Sequence, residues 1–100
     1  MQQPVHDLEV DNFLLYYLKS ILGYSIKYNK NTIVLKSVYA FSAEDTFEIV
    51  VQDNKLLLKD TVYLREWSEL VSVYIKNGRS YCAFFAAVTL ELYNRKTFGS

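Results

Sequence analysis

The spacing of apolar residues changes period twice along this chain, and few folds accommodate both changes. Up to Gly23 the repeat is helical. In LEVDNFLLYYLKSILG, Val10, Leu14, Tyr17 and Ile21 recur at intervals of four, three and four, the spacing that gathers side chains on one helix face. Phe13 and Leu18 widen that face, and Gly23 supplies a stop. From Tyr24 the period is two. Tyr24, Ile26 and Tyr28 alternate with Ser25 and Lys27. TIVLKSVYA is β-branched and long enough for a strand, Phe47, Ile49 and Val51 alternate within TFEIVVQ, and KLLLK follows. Asn29–Asn31, FSAED and Asp53–Asn54 separate these runs, and the asparagines suit turns because they tolerate positive φ.

After Asp60 and Thr61, both good N-cap residues, the helical period returns. Tyr63, Leu64, Trp67, Leu70, Val71, Tyr74 and Ile75 form one stripe of a helix through Lys76, with Arg65, Glu66, Ser68, Glu69 and Ser72 opposite. Asn77–Gly78 reads as a left-handed cap, and Ser80 as the N-cap of a last helix from Tyr81 to about Asn94. A helix, a four-stranded antiparallel meander and then two helices make an α+β fold in which the helices pack on one sheet face. Residues 12–97 are expected to form a single domain, a normal size for 100 residues. Residues 1–11 form a frayed or helical lead-in. Residues 98–100 are a tail whose Gly99–Ser100 resembles a vector remnant.

Composition narrows the function classes. Eleven basic residues balance eleven acidic ones, so the basic excess that neutralises phosphates is missing and no nucleic-acid partner is expected. One cysteine and one histidine allow neither an internal disulfide nor a Cys/His zinc site. MQQPVHDLEVDN has no basic and apolar leader, so an intracellular protein is expected. The apolar run in SYCAFFAAVTLELYNRK falls short of the ~18 residues that span a bilayer. Nine tyrosines and six phenylalanines suit contact surfaces, and a half-exposed sheet equally well.

Catalytic candidates are few. Cys82 lies near a helix start, but the only histidine, His6, is in the lead-in. Flanked by Tyr81, Ala83 and Phe84, the thiol is expected to pack as a small hydrophobe. Glu9 with Asp11, and Glu44 with Asp45, are expected to be solvated acids at a helix start and in a loop. Gly23 and Gly78 sit at helix ends and build no phosphate loop. Lys27, Lys30, Lys36, Lys55 and Lys59 read as a solvated sheet face and its turns. No enzyme activity, metal or cofactor is expected.

Three segments, in order, carry a family likeness: LGYSI (Leu22–Ile26), VLKSVYA (Val34–Ala40) and YCAFFAAVTLELYNRKT (Tyr81–Thr97). Together they resemble the C-terminal domain of the mitotic-arrest-deficient (Mad) coiled-coil scaffolds of the spindle assembly checkpoint, over Asn12 to Thr97. The resemblance implies an RWD-like domain, non-catalytic and homodimeric through its entering helix, with Val10, Phe13, Leu14, Tyr17, Leu18 and Ile21 as the seam. It implies as partners a HORMA-domain Mad protein and the phosphorylated checkpoint kinase Bub, and a nuclear protein at kinetochores and, in interphase, the nuclear envelope or pore. Two departures stand out. The family's Arg-Leu-Lys motif falls near Gln2–Pro4, where this chain has QQP, and Cys82 replaces a proline at the start of the last helix. Arg95 and Lys96, a basic helix end beside aromatics, are candidates to bind an acidic or phosphorylated peptide. The alternative is another RWD-like kinetochore module, of linker-complex or monopolin type.

Overall fold

Each switch of apolar period marks a change of element. The computed structural model describes residues 4–99, with side chains from Phe13 onward. The first helix, α1, runs Pro4–Leu22. It ends at Gly23, whose φ of 83° is left-handed and whose amide donates back to the Lys19 carbonyl at 2.9 Å. The Gly23 carbonyl in turn accepts from Val38 at 3.0 Å, so the chain leaves the helix directly into sheet pairing.

The sheet comprises β1 (Tyr24–Asn29), β2 (Thr32–Ser37), β3 (Thr46–Gln52) and β4 (Lys55–Leu58), antiparallel in the order β1-β2-β3-β4. The β3–β4 turn places both Asp53 (φ 55°) and Asn54 (φ 62°) in the left-handed region, the geometry whose twist suits a two-residue hairpin. In the β1–β2 turn it is Lys30 (φ 58°), not a flanking asparagine, that takes the left-handed position. The register aligns Ile26, Leu35 and Phe47 in one row and Ile33, Ile49 and Leu58 in the next. One face is therefore apolar, as the alternation requires. Its far end is less covered: Tyr28 and Val51 are exposed although they continue the same alternation.

The helical half differs from an uninterrupted helix. Thr61 caps α2 (Val62–Arg65), accepting from the Leu64 amide at 3.1 Å. The chain then turns at Trp67 (φ −109°, ψ 26°) into α3 (Ser68–Leu70), which continues as a π-helical segment, Val71–Asn77. Tyr63 and Trp67, four positions apart, both enter the core with ring centroids 6.1 Å apart, and the break redirects the chain only after them. Gly78 is not the left-handed cap: its φ is −84° and Arg79 takes φ 55° instead. Glycine is needed there for space, since a Cβ would lie 2.9 Å from the Tyr74 carbonyl oxygen. Ser80 caps α4 (Tyr81–Phe98) by accepting from the Ala83 amide at 3.1 Å.

The core is a stack of aromatic residues between sheet and α4. Phe84, Val88 and Leu92, spaced by four on α4, are fully buried with Phe47, and Tyr24, Tyr63 and Trp67 complete the cluster. Phe47 meets Phe84 and Phe85 edge-on, each with centroids 5.5 Å apart. Tyr24 buries its ring and donates its hydroxyl to the Phe85 carbonyl at 2.7 Å.

Two outcomes follow. Gly23→Ala forces a side chain into a left-handed residue and sets its Cβ 3.3 Å from Thr89 Cγ2, so the variant should lose about 1–2 kcal/mol of stability in urea denaturation. Burial pushes the Tyr24 phenol up to about 12, with the Thr89 hydroxyl partly opposing. The neutral phenol is thus favoured in the folded state. Its stabilisation is complete below the ordinary tyrosine value of about 10 and is lost as pH rises through about 12. Equilibrium unfolding followed across that window should show a decline that is shallower in Tyr24→Phe.

Candidate interaction surfaces

The apolar stripe of α1 emerges from the helix spacing and stays uncovered by the rest of the fold. Phe13, Leu14, Tyr17 and Ile21 are exposed, Ile21 by 73%, while Leu18 is half-buried. Val10 lies outside the residues whose side chains are described. Tyr16 and Leu22 are also exposed, so the uncovered surface extends beyond one narrow seam. Phe13 and Tyr16 both pack edge-on against Tyr17, with centroids 5.0 Å apart. Side chains this large are unusual in water along several consecutive turns and mark a contact surface.

A second feature lies at the C-terminal end of α4. Arg95 is internally engaged: its Nε donates to Glu91 Oε2 at 3.0 Å and its guanidinium lies 5.1 Å above the Trp67 ring. Lys96 instead sits 5.3 Å from the exposed Phe41 ring. Beside it, Tyr39 and Tyr93 meet edge-on at 5.5 Å. The two neighbouring cations therefore face different surroundings, Arg95 a groove with Glu66, Glu69 and Leu70, Lys96 an aromatic loop. The sequence signal for the second was Phe41 itself, a large apolar residue in a loop. Nothing in the sequence pointed to the stacking of Arg95 on Trp67.

Trp67 Nε1 is buried with no acceptor within hydrogen-bonding range among the described residues. A buried donor left without an acceptor costs about 1–3 kcal/mol. Burial raises the Tyr63 phenol, opposed in part by the neighbouring Trp67 indole and the Arg95 charge, with the charges of Asp45 and Glu66 adding to the rise.

Cys82 corrects an expectation. It is exposed, not packed as a small hydrophobe, and its Sγ lies 3.3 Å from Ser80 Oγ. On α4 it projects roughly opposite the buried stripe of Phe84, Val88 and Leu92. His6 lies outside the residues whose side chains are described.

The profile of the mitotic checkpoint protein (MAD) family matches residues 15–97. This chain belongs to that family. The match runs from the second half of α1 through all four strands to residue 97, one residue short of the end of α4. The chain is also similar to the spindle assembly checkpoint component MAD1 of Yarrowia lipolytica, 33% identical over 82 residues. That alignment takes in 77% of this chain and 12% of the relative, so the chain spans about an eighth of that protein's length. No helix among the described residues is long and apolar enough to cross a membrane.

An exposed thiol should react in the native state. Labelling of the folded protein with a disulfide reagent at neutral pH is expected to proceed within about ten-fold of the denatured rate; protection by several orders of magnitude would contradict the exposed placement.

Proposed function

We propose that this chain is a non-catalytic interaction domain of a spindle assembly checkpoint scaffold, RWD-like over residues 12–97, that dimerises through α1. The observation that carries this reading is the uncovered apolar surface of α1 on a chain whose family is that of mitotic checkpoint proteins. In a homodimer, Val10, Phe13, Leu14, Tyr17, Leu18 and Ile21 of two copies would bury one another, removing from water the side chains the head leaves exposed. Kinetochores of the dividing nucleus are the expected site of action, with the nuclear envelope or pore in interphase. The expected partners are a HORMA-domain Mad protein and the phosphorylated Bub kinase.

The family's Arg-Leu-Lys motif does not enter this proposal, because residues 2–4 read Gln-Gln-Pro. Of the α4 pair proposed for an acidic partner, Lys96 is better placed than Arg95, whose guanidinium is held by Glu91 and Trp67. A linker-complex or monopolin type of module draws no support from the family match.

Analytical ultracentrifugation tests the dimer. The chain should sediment as a dimer, and Phe13→Glu with Ile21→Glu as a monomer that still unfolds cooperatively, since neither side chain belongs to the core. A wild-type monomer, even with its native upstream sequence attached, would defeat the proposal. For partner binding, Lys96→Glu should weaken a phosphorylated Bub-kinase peptide about three- to ten-fold without loss of fold. Unchanged binding would remove Lys96 from the site.

A further inference from the structure

Among the described side chains, the helical packing falls on one face of the sheet. The register assigns to the other face Lys27 on β1, Val34 and Lys36 on β2, Glu48 and Val50 on β3, and Lys55 and Leu57 on β4. Lys59, just past β4, reaches the same face, because its Nζ meets Glu48 Oε1 at 3.4 Å. Four lysines thus share this face with one carboxylate, in a chain whose total charge is zero. The imbalance arises from placement and not from composition. Glu48 is occupied by Lys59, and among the described side chains Lys27, Lys36 and Lys55 lie within ion-pair distance of no carboxylate.

The centre of the face is apolar. Val34 pairs with Glu48, Val50 with Leu57, and the two valines are diagonal neighbours on adjacent strands. Val34 and Val50 are half-buried by their sheet neighbours alone, and Leu57 is exposed. At about 4.8 Å per strand, Lys27 and Lys59 stand roughly 14 Å apart in one row with Val34 and Glu48 between them, and Val50 and Leu57 lie in the adjacent row. Lysines on the edge strands have a protective use against edge-to-edge pairing. That use accounts for neither Lys36, on an inner strand, nor the aliphatic centre of the face.

We propose that the open face of the sheet is a docking surface for an acidic peptide segment, in which a few apolar side chains lie on Val34, Val50 and Leu57 and flanking carboxylates meet Lys27, Lys36 and Lys55. The charge complementarity selects an acidic partner, and the apolar centre selects a peptide over a phosphate backbone, which has nothing to place there. The surface lies across the sheet from α4 and stands independently of α1 dimerisation and of Lys96.

The test is a titration of the isotope-labelled chain with a synthetic peptide that alternates glutamate with leucine, monitored by amide chemical shifts at low and moderate salt. The expected result is saturable shifts on Ser25, Lys27, Val34, Lys36, Val50 and Leu57, weakening as salt rises. Lys27→Glu with Lys36→Glu should reduce affinity about ten-fold, and Lys27→Gln with Lys36→Gln by less, with thermal unfolding confirming that both variants fold. Three outcomes would overturn the proposal: no saturable shifts, or shifts centred on α4; tighter binding of duplex DNA or anionic vesicles to the same residues; or self-association of the unliganded chain that the lysine reversals abolish, which would make a second copy the occupant.

Discussion

Everything in this head depends on Phe47 meeting the Phe84, Val88 and Leu92 stripe of α4. Strand β3 is an inner strand, so a side chain at its centre is flanked on both sides by paired backbone and can be covered only from above. The stripe spaced by four on α4 supplies that cover, and Tyr24, Tyr63 and Trp67 seal its margins. Because Phe47 meets Phe84 and Phe85 edge-to-face among rigid rings, the packing specifies the angle of α4 on the sheet as well as its distance. Deleting any of these rings would leave a cavity that its stiff neighbours could not close, which is why large-to-small changes in such cores are among the most damaging.

With the core so placed, the remaining surfaces divide by chemistry. The helical side carries the α4 terminus with its two differently engaged cations, the opposite sheet face carries lysines around an aliphatic strip, and α1 carries apolar side chains with nothing over them. A small head that keeps these surfaces on separate elements can lose one contact without disturbing the others, because sites without shared neighbours behave independently.

The period changes were legible in the sequence because propensity and burial agree there. β-branched alternation gives way to helical stripes at capped boundaries, and Thr61, Ser80 and Gly23 do what their chemistry suggests. Where the reading fell short, the deciding quantity was tertiary. The break at Trp67 and the left-handed conformation of Lys30, in place of a neighbouring asparagine, carry no local signal in the sequence. Tyr28 and Val51 alternate correctly yet lie past the helical cover. Cys82 was legible after all: two residues before Phe84 is a turn of about 200° from the buried stripe, but its apolar neighbours masked the arithmetic. The exposed seam on α1 was identified as apolar from spacing, whereas its partner is not encoded in one chain's periodicity.

The hydrogen bond from Tyr24 to Phe85 joins residues 61 positions apart. During synthesis the four strands emerge and can pair while α4 is still inside the ribosome, and their apolar face then has no cover. Closure of the core must wait for the final helix, so local hairpin formation and global burial are separated in time. Until α4 emerges, the nascent chain exposes the apolar sheet face that the finished domain covers, and a ribosome stalled shortly before α4 would present an open sheet instead of a nearly finished domain.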